Sequence, residues 1–138
     1  MKIKRVEHIA IAVDSLQQSL DLLRNAFGLD LEYEEQIGPT RLAMLPVGET
    51  YIELLEGQGP ESGVSKWIRE KGTGLFHICF EVEDIDEALA ELKSKGVPLI
   101  DQVPRIGHAG CRIAYLDPKG TEGCLIELAE MPKTAAHA

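Results

Sequence analysis

His8-Ile-Ala-Ile-Ala-Val13 and His77-Ile-Cys-Phe-Glu-Val82 are the stretches whose reading decides the architecture. Each begins with a histidine, runs apolar for a strand's length and is followed by leucines at helical spacing. One constant offset aligns His8 with His77, Val13 with Val82, Leu16 with Ile85, Leu20 with Leu89 and Leu23 with Leu92. A second match follows in the same order: Ile52-Glu53-Leu54-Leu55-Glu56 and Ile126-Glu127-Leu128-Ala129-Glu130. A repeat of about 60 residues is too long for an ordinary solenoid unit, so the chain reads as one β-α-β-β-β module written twice.

Working outward, the local signals agree with that module. Residues 5–13 and 75–82 are β-rich. Ser15 with Gln18, and Asp84 with Glu87, have the spacing of a helix-starting capping box. Leu16, Leu20, Leu23 and Phe27 line one helix face, and Ile85, Ala88, Leu89 and Leu92 line the other. Gly28 and Gly96 suit the C-caps. Further strands are expected at about 30–36, 41–47 and 50–56, and again at about 98–103, 111–116 and 123–130. The expected class is α+β: two tandem βαβββ modules, about 5–56 and 75–130, forming a cupped mixed sheet. Residues 57–74 are the linker, with a short helix over Val64–Lys71, and 132–138 an expected disordered tail. All of this is read as one domain spanning 1–138.

The composition narrows the function. The chain has 138 residues and a net charge of −9, which argues against nucleic acid and against an anionic membrane surface. No apolar run approaches the roughly 20 residues that span a bilayer. Cys79, Cys111 and Cys124 are three and widely spaced, with no CxxC pair, so each is expected to be a buried small hydrophobe. Reduced cysteines and no targeting segment lead us to expect a cytoplasmic protein. A chain this short buries a modest share of its surface, so a homodimer is expected.

Four residues carry chemistry. His8 and His77 are repeat-equivalent, and so are Glu53 and Glu127. Alternation along a strand puts Glu53 on the face of Tyr51 and Leu55, and Glu127 on the face of Leu125 and Ala129. A carboxylate on such an apolar face is costly unless it is paired or bound to a cation. Two imidazoles and two carboxylates suit a divalent ion, with Co²⁺ favoured and Ni²⁺, Mn²⁺ or Zn²⁺ also compatible. His108 lies in a Gly-rich turn, as a loop or substrate-contact residue. His137 lies in the tail.

Over Val6–Glu130 the paired units with His…Glu…His…Glu resemble the vicinal-oxygen-chelate superfamily. More narrowly, the chain resembles the methylmalonyl-CoA epimerases. The motifs are Pro46-Val-Gly-Glu-Thr-Tyr-Ile-Glu-Leu-Leu-Glu56, Ser65-Lys-Trp-Ile-Arg-Glu-Lys-Gly72, Gly74-Leu-Phe-His-Ile78, Val97-Pro-Leu-Ile-Asp101, Pro104-Arg-Ile-Gly-His-Ala-Gly110 and Pro118-Lys-Gly-Thr-Glu-Gly-Cys-Leu-Ile-Glu-Leu128.

The resemblance implies an acyl-CoA substrate whose C2 proton is removed and returned, with a metal ion stabilising the enolate. It implies two glutamate bases, one on each face of the planar intermediate. One is the final metal ligand, Glu127. The other lies near Tyr33-Glu34-Glu35-Gln36-Ile37, where the chain departs from the family's Glu-Gln-Gly-Val. Adjacency to glutamine selects Glu35, Glu34 is the alternative, and a gap-free count back from Glu53 lands near Ile37. Lys66, Arg105, His108 and Lys119, with Arg69 and Lys71, are candidates for contacts to the substrate and its coenzyme A phosphates. Two other readings stand beside this one: a lactoylglutathione lyase with the same ligand set, and a metal-free small-molecule binder.

Overall fold

The computed structural model describes residues 1–133. Most of the expected tail, His137 included, lies outside the described residues. The chain divides into two units. The N-terminal unit is His8–Phe76. The C-terminal unit combines Met1–Glu7 with the chain from His77 onward. The division thus falls inside the first strand, and the first seven residues belong with the second module.

In the N-terminal unit, β1 (Ile3–Ala12, from His8) is followed by α1 (Leu16–Phe27), β2 (Tyr33–Ile37), β3 (Thr40–Val47), β4 (Thr50–Gly57) and α2 (Gly63–Lys71). The strand order is β2-β3-β4-β1, antiparallel except for the parallel β4–β1 pair. The register sorts side chains onto two faces. Ile11, Leu54 and Ala43 lie on one, with Ile52 and Leu45, and pack under Leu16 and Leu20 of α1. Two rows cross the other face: Ala10–Glu53–Met44–Tyr33 and Ala12–Leu55–Leu42–Glu35. Val64, Trp67 and Ile68 of α2 close over part of that second face. Ser15 caps α1 by accepting from Gln18 N–H, and Gly28 ends it in the left-handed conformation, as its Schellman-type bonds to Leu23 and Arg24 require.

The C-terminal unit repeats the plan. β5 (Gly74–Val82, here from His77) leads to α3 (Ile85–Ser94), β6 (Arg105–Ile106), β7 (Arg112–Tyr115) and β8 (Ile126–Glu130). The order is β5-β8-β7-β6, with β5–β8 the parallel pair. Phe80, Leu128 and Ala114 face Ile85, Ala88 and Leu89 of α3. Each fully buried Leu or Ile in such a cluster contributes about 1.5–3 kcal/mol. Arg112 forks onto Asp86 at 2.8 and 3.0 Å, pinning β7 to α3, and this hydrogen-bonded guanidinium holds the Asp86 carboxyl below its usual range.

Both modules therefore have the expected βαβββ order. Four details differ. The strand expected at 98–103 is reduced to a single bridge, Leu99 to Leu116, and the edge strand forms later at Arg105–Ile106. Pro98 and Pro104 supply no amide donors for a longer ladder there. β8 starts at Ile126 rather than 123, because Thr121–Cys124 closes a turn with positive φ at Glu122 and Gly123. Cys124 sits at the end of that turn and is exposed, unlike the buried Cys79 and Cys111. Lys95 is the C-cap of α3, with Gly96 following it at positive φ.

The repeat extends to the helix starts. Glu56 accepts a hydrogen bond from Leu16 N–H at 3.0 Å, and its repeat-mate Glu130 accepts from Ile85 N–H at 3.0 Å. Each carboxylate satisfies an amide at a helix N-terminus, where the dipole also favours negative charge. Glu130→Ala is expected to destabilise the protein by about 2 kcal/mol in urea unfolding, since it strips a buried helix-start amide of a charged acceptor. Glu56→Ala, at a less buried site, is expected to cost less. Equal midpoints for Glu130→Ala and the parent would refute the assignment.

Candidate metal and acid–base site

The pleat that sends Leu54 and Leu128 toward the helices sends Glu53 and Glu127 the other way. In the N-terminal unit, His8 Nε2 lies 3.2 Å from Glu53 Oε1. In the C-terminal unit, His77 Nε2 lies 3.2 Å from Glu127 Oε1. The two repeats have built the same couple at the same separation. All four residues are at least 96% buried.

The donor set can be tested against a divalent ion. Ligand atoms about 2.1 Å from one ion lie about 3.0 Å apart when cis in an octahedron and about 3.4 Å apart in a tetrahedron. The observed 3.2 Å falls between these edges. It is longer than the 2.7–2.9 Å typical of a charge-assisted N–H···O⁻ bond. Neutral imidazole and carboxylate suit Co²⁺, Ni²⁺, Mn²⁺ or Zn²⁺, so the residues fit such an ion.

Around Glu127 the register puts Cys79 on one side and Tyr115 on the other. The Tyr115 ring meets the His77 ring edge-on, with centroids 5.3 Å apart. Arg105 lies over the Tyr115 ring at 5.4 Å and is tethered to Asp101 at 3.3 Å. Arg105 thus has a defined path to the His77–Glu127 couple, although its side chain is half exposed. Lys66 is exposed on α2 and lies 3.6 Å from Glu61. Lys119 is exposed in the turn after β7, where its amide bonds Asp117. Arg69 donates to the Pro60 carbonyl, and Lys71 lies over the Trp67 ring.

The two candidates for the second base part company here. Glu35 is half-buried on β2 and shares a sheet face with His8 and Glu53, one row from Glu53 across Leu42 and Leu55. Glu34 points to the opposite face, is exposed and pairs with Arg41 at 3.1 Å.

His108 lies in the expected turn, yet it is buried, with Nε2 2.9 Å from Glu7 Oε1. Glu7 was not singled out from the sequence. Its signal was a carboxylate between Val6 and His8 on a strand that turns apolar just beyond, where burial would demand a partner of its own. The partner lies 101 residues away, and no local pattern names it.

A family model for the glyoxalase/bleomycin resistance protein/dioxygenase superfamily matches residues 7–115. The mitochondrial methylmalonyl-CoA epimerase of Dictyostelium discoideum is 37% identical over 131 residues, covering 93% of this chain and 79% of that protein. The ethylmalonyl-CoA/methylmalonyl-CoA epimerase of Cereibacter sphaeroides is 34% identical, covering 94% and 99%. A solved methylmalonyl-CoA epimerase in complex with methylmalonyl-CoA and NH₄⁺ is 33% identical, with a TM-score of 0.91 and coverage of 96% and 97%.

Proposed function

This chain belongs to the glyoxalase/bleomycin resistance protein/dioxygenase superfamily and, within it, to the methylmalonyl-CoA epimerases, and from that membership we propose that it interconverts (2R)- and (2S)-methylmalonyl-CoA by moving the proton on C2. The observation that carries the reading is the pair of buried His–Glu couples, one per unit, at the same 3.2 Å. We read them as four ligands of one divalent ion, His8, Glu53, His77 and Glu127, with Co²⁺ favoured.

When bound, such an ion supplies positive charge where negative charge develops on oxygen as C2 loses its proton. The chain's own residues do the rest. Glu127 takes the proton from one side of C2 and returns it there in the reverse direction. Glu35 serves the other side. The His77 ring, held edge-on by Tyr115, fixes the direction from which Glu127 acts. Arg105, Lys66 and Lys119 offer cations for the coenzyme A phosphates, and the turn carrying His108 offers further substrate contacts. Arg105 is the strongest of the three cations, because its stacking on Tyr115 restrains it before substrate arrives.

No described helix is long and apolar enough to cross a membrane. Within the proposal, the chain is one domain, works as a homodimer and acts in the cytoplasm.

The test is exchange at C2. Methylmalonyl-CoA in D₂O, with the protein and Co²⁺, is expected to gain deuterium at C2 as the epimers equilibrate. Dialysis against a chelator should stop both processes, and added Co²⁺ should restore them. Failure to incorporate deuterium with metal present would sink the epimerase reading. Full activity of exhaustively chelated protein would sink the metal reading alone.

A further inference from the structure

The turn that carries His108 is built against its own local preferences. Ala109 adopts the left-handed conformation at φ 52° and ψ 24°, which costs a residue with a Cβ. Gly110 follows at φ 75°. Gly107 is crowded, since a Cβ there would lie 2.7 Å from Ile113 Cδ1 and would have to displace that side chain. Two backbone bonds between this turn and Cys111, both 2.9 Å, lock the geometry. The strained turn points an imidazole inward, onto a carboxylate as buried as itself.

Stability alone is a poor account of this. Burying a carboxylate and an imidazole together rarely stabilises more than apolar residues of the same volume would. Strain held in place by surrounding structure is more often found where function needs a fixed geometry. The position of Glu7 supplies the function. It immediately precedes His8 in β1, so the backbone held at Glu7 sets the point from which the His8 side chain leaves the strand. Glu7 clamped to His108 therefore fixes the strand one residue before His8. Arg5, two residues earlier, is clamped in turn to the buried Glu81 at 2.6 Å. Successive anchors along Arg5 and Glu7 leave β1 little freedom to roll as it reaches His8.

We propose that the Glu7–His108 hydrogen bond is a brace for the metal-binding histidine His8, which makes His108 a positioning residue rather than a ligand or a base. The brace rests on the reading of His8 as a ligand. Partners that orient ligands in this way typically change metal affinity by about 10–100-fold when lost. Here the restraint passes through the backbone instead of through the imidazole of His8 itself.

The experiment measures Co²⁺ affinity by calorimetry on the full chain, with the thermal midpoint recorded for every variant. His108→Phe fills the space and removes the donor, and should weaken Co²⁺ binding by about tenfold or more. His108→Gln keeps a donor at the position of Nε2 and should stay within about threefold of the parent. Should His108→Phe fail to fold, the double variant Glu7→Gln/His108→Phe removes the buried charge and is expected to show the same loss. A folded His108→Phe, or double variant, that binds Co²⁺ as the parent does would overturn the brace. So would a His108→Gln variant as weak as His108→Phe. A parent that binds no divalent ion overturns the ligand reading itself, and the brace with it. The C2 exchange assay reports on the epimerase reading separately.

Discussion

Glu127→Gln is expected to slow C2 deuterium incorporation into the epimer whose C2 proton faces Glu127 by about a thousandfold, the middle of the range for removing a positioned general base. Glutamine has the size of glutamate and keeps an oxygen that can face a cation, but it cannot accept the C2 proton. The substitution therefore separates the two roles proposed for Glu127. Metal affinity should fall modestly while exchange in that epimer collapses and exchange through Glu35 in the other persists. The fold should survive, because the backbone of Glu127 stays in register with Cys79 and Tyr115 whatever its side chain. Exchange is read by proton NMR at saturating Co²⁺, and the thermal midpoint controls for unfolding. A variant retaining a tenth or more of the parent rate in that epimer would mean that another group takes the proton on the Glu127 side. The likelihood of confusing this with ligand loss is limited by a comparison: Glu53→Gln alters the repeat-equivalent carboxylate, so it should weaken the ion without removing a base.

The same couple shows why much of this protein could be read from its sequence. Duplication writes every constraint twice, so Glu53 and Glu127 are each visible because the other exists. A lone glutamate between Ile52 and Leu54 would read as an edge residue. The helix starts were equally accessible: Glu56 and Glu130 stand three residues beyond the two ligand positions, and both accept from the first amides of a helix. What the repeat does not copy was harder to see. His108 and Glu7 have no counterparts in the other module, and their contact spans most of the chain. The strand expected at 98–103 failed for a local reason, because prolines at 98 and 104 leave few donors for a ladder. Cys124 looked like core because Leu125 and Ile126 follow it, but the left-handed pair Glu122–Gly123 turns the chain first and leaves it outside.

Glu35→Gln is expected to lower epimerisation by about a hundredfold to ten-thousandfold while sparing part of the exchange. Inversion at C2 needs a proton taken from one side and delivered on the other. With Glu35 disabled, Glu127 can still remove the proton of one epimer and return deuterium to the same side. The variant should thus wash deuterium into one epimer without forming the other, a signature that general destabilisation would not produce. Glu34→Gln is the internal control. It lies on the opposite sheet face in an exposed pair with Arg41, so epimerisation should stay within about twofold of the parent, as for most surface substitutions. Ile37 shares the face of Glu35 but carries no group that moves a proton. The measurement is chiral analysis of recovered methylmalonyl-CoA alongside its deuterium content. If Glu35→Gln epimerises normally, the second side of C2 is served from elsewhere. Row position then argues for a search along the same face, where Tyr33 and Tyr51 are the remaining proton-bearing side chains in register with Glu53 and His8.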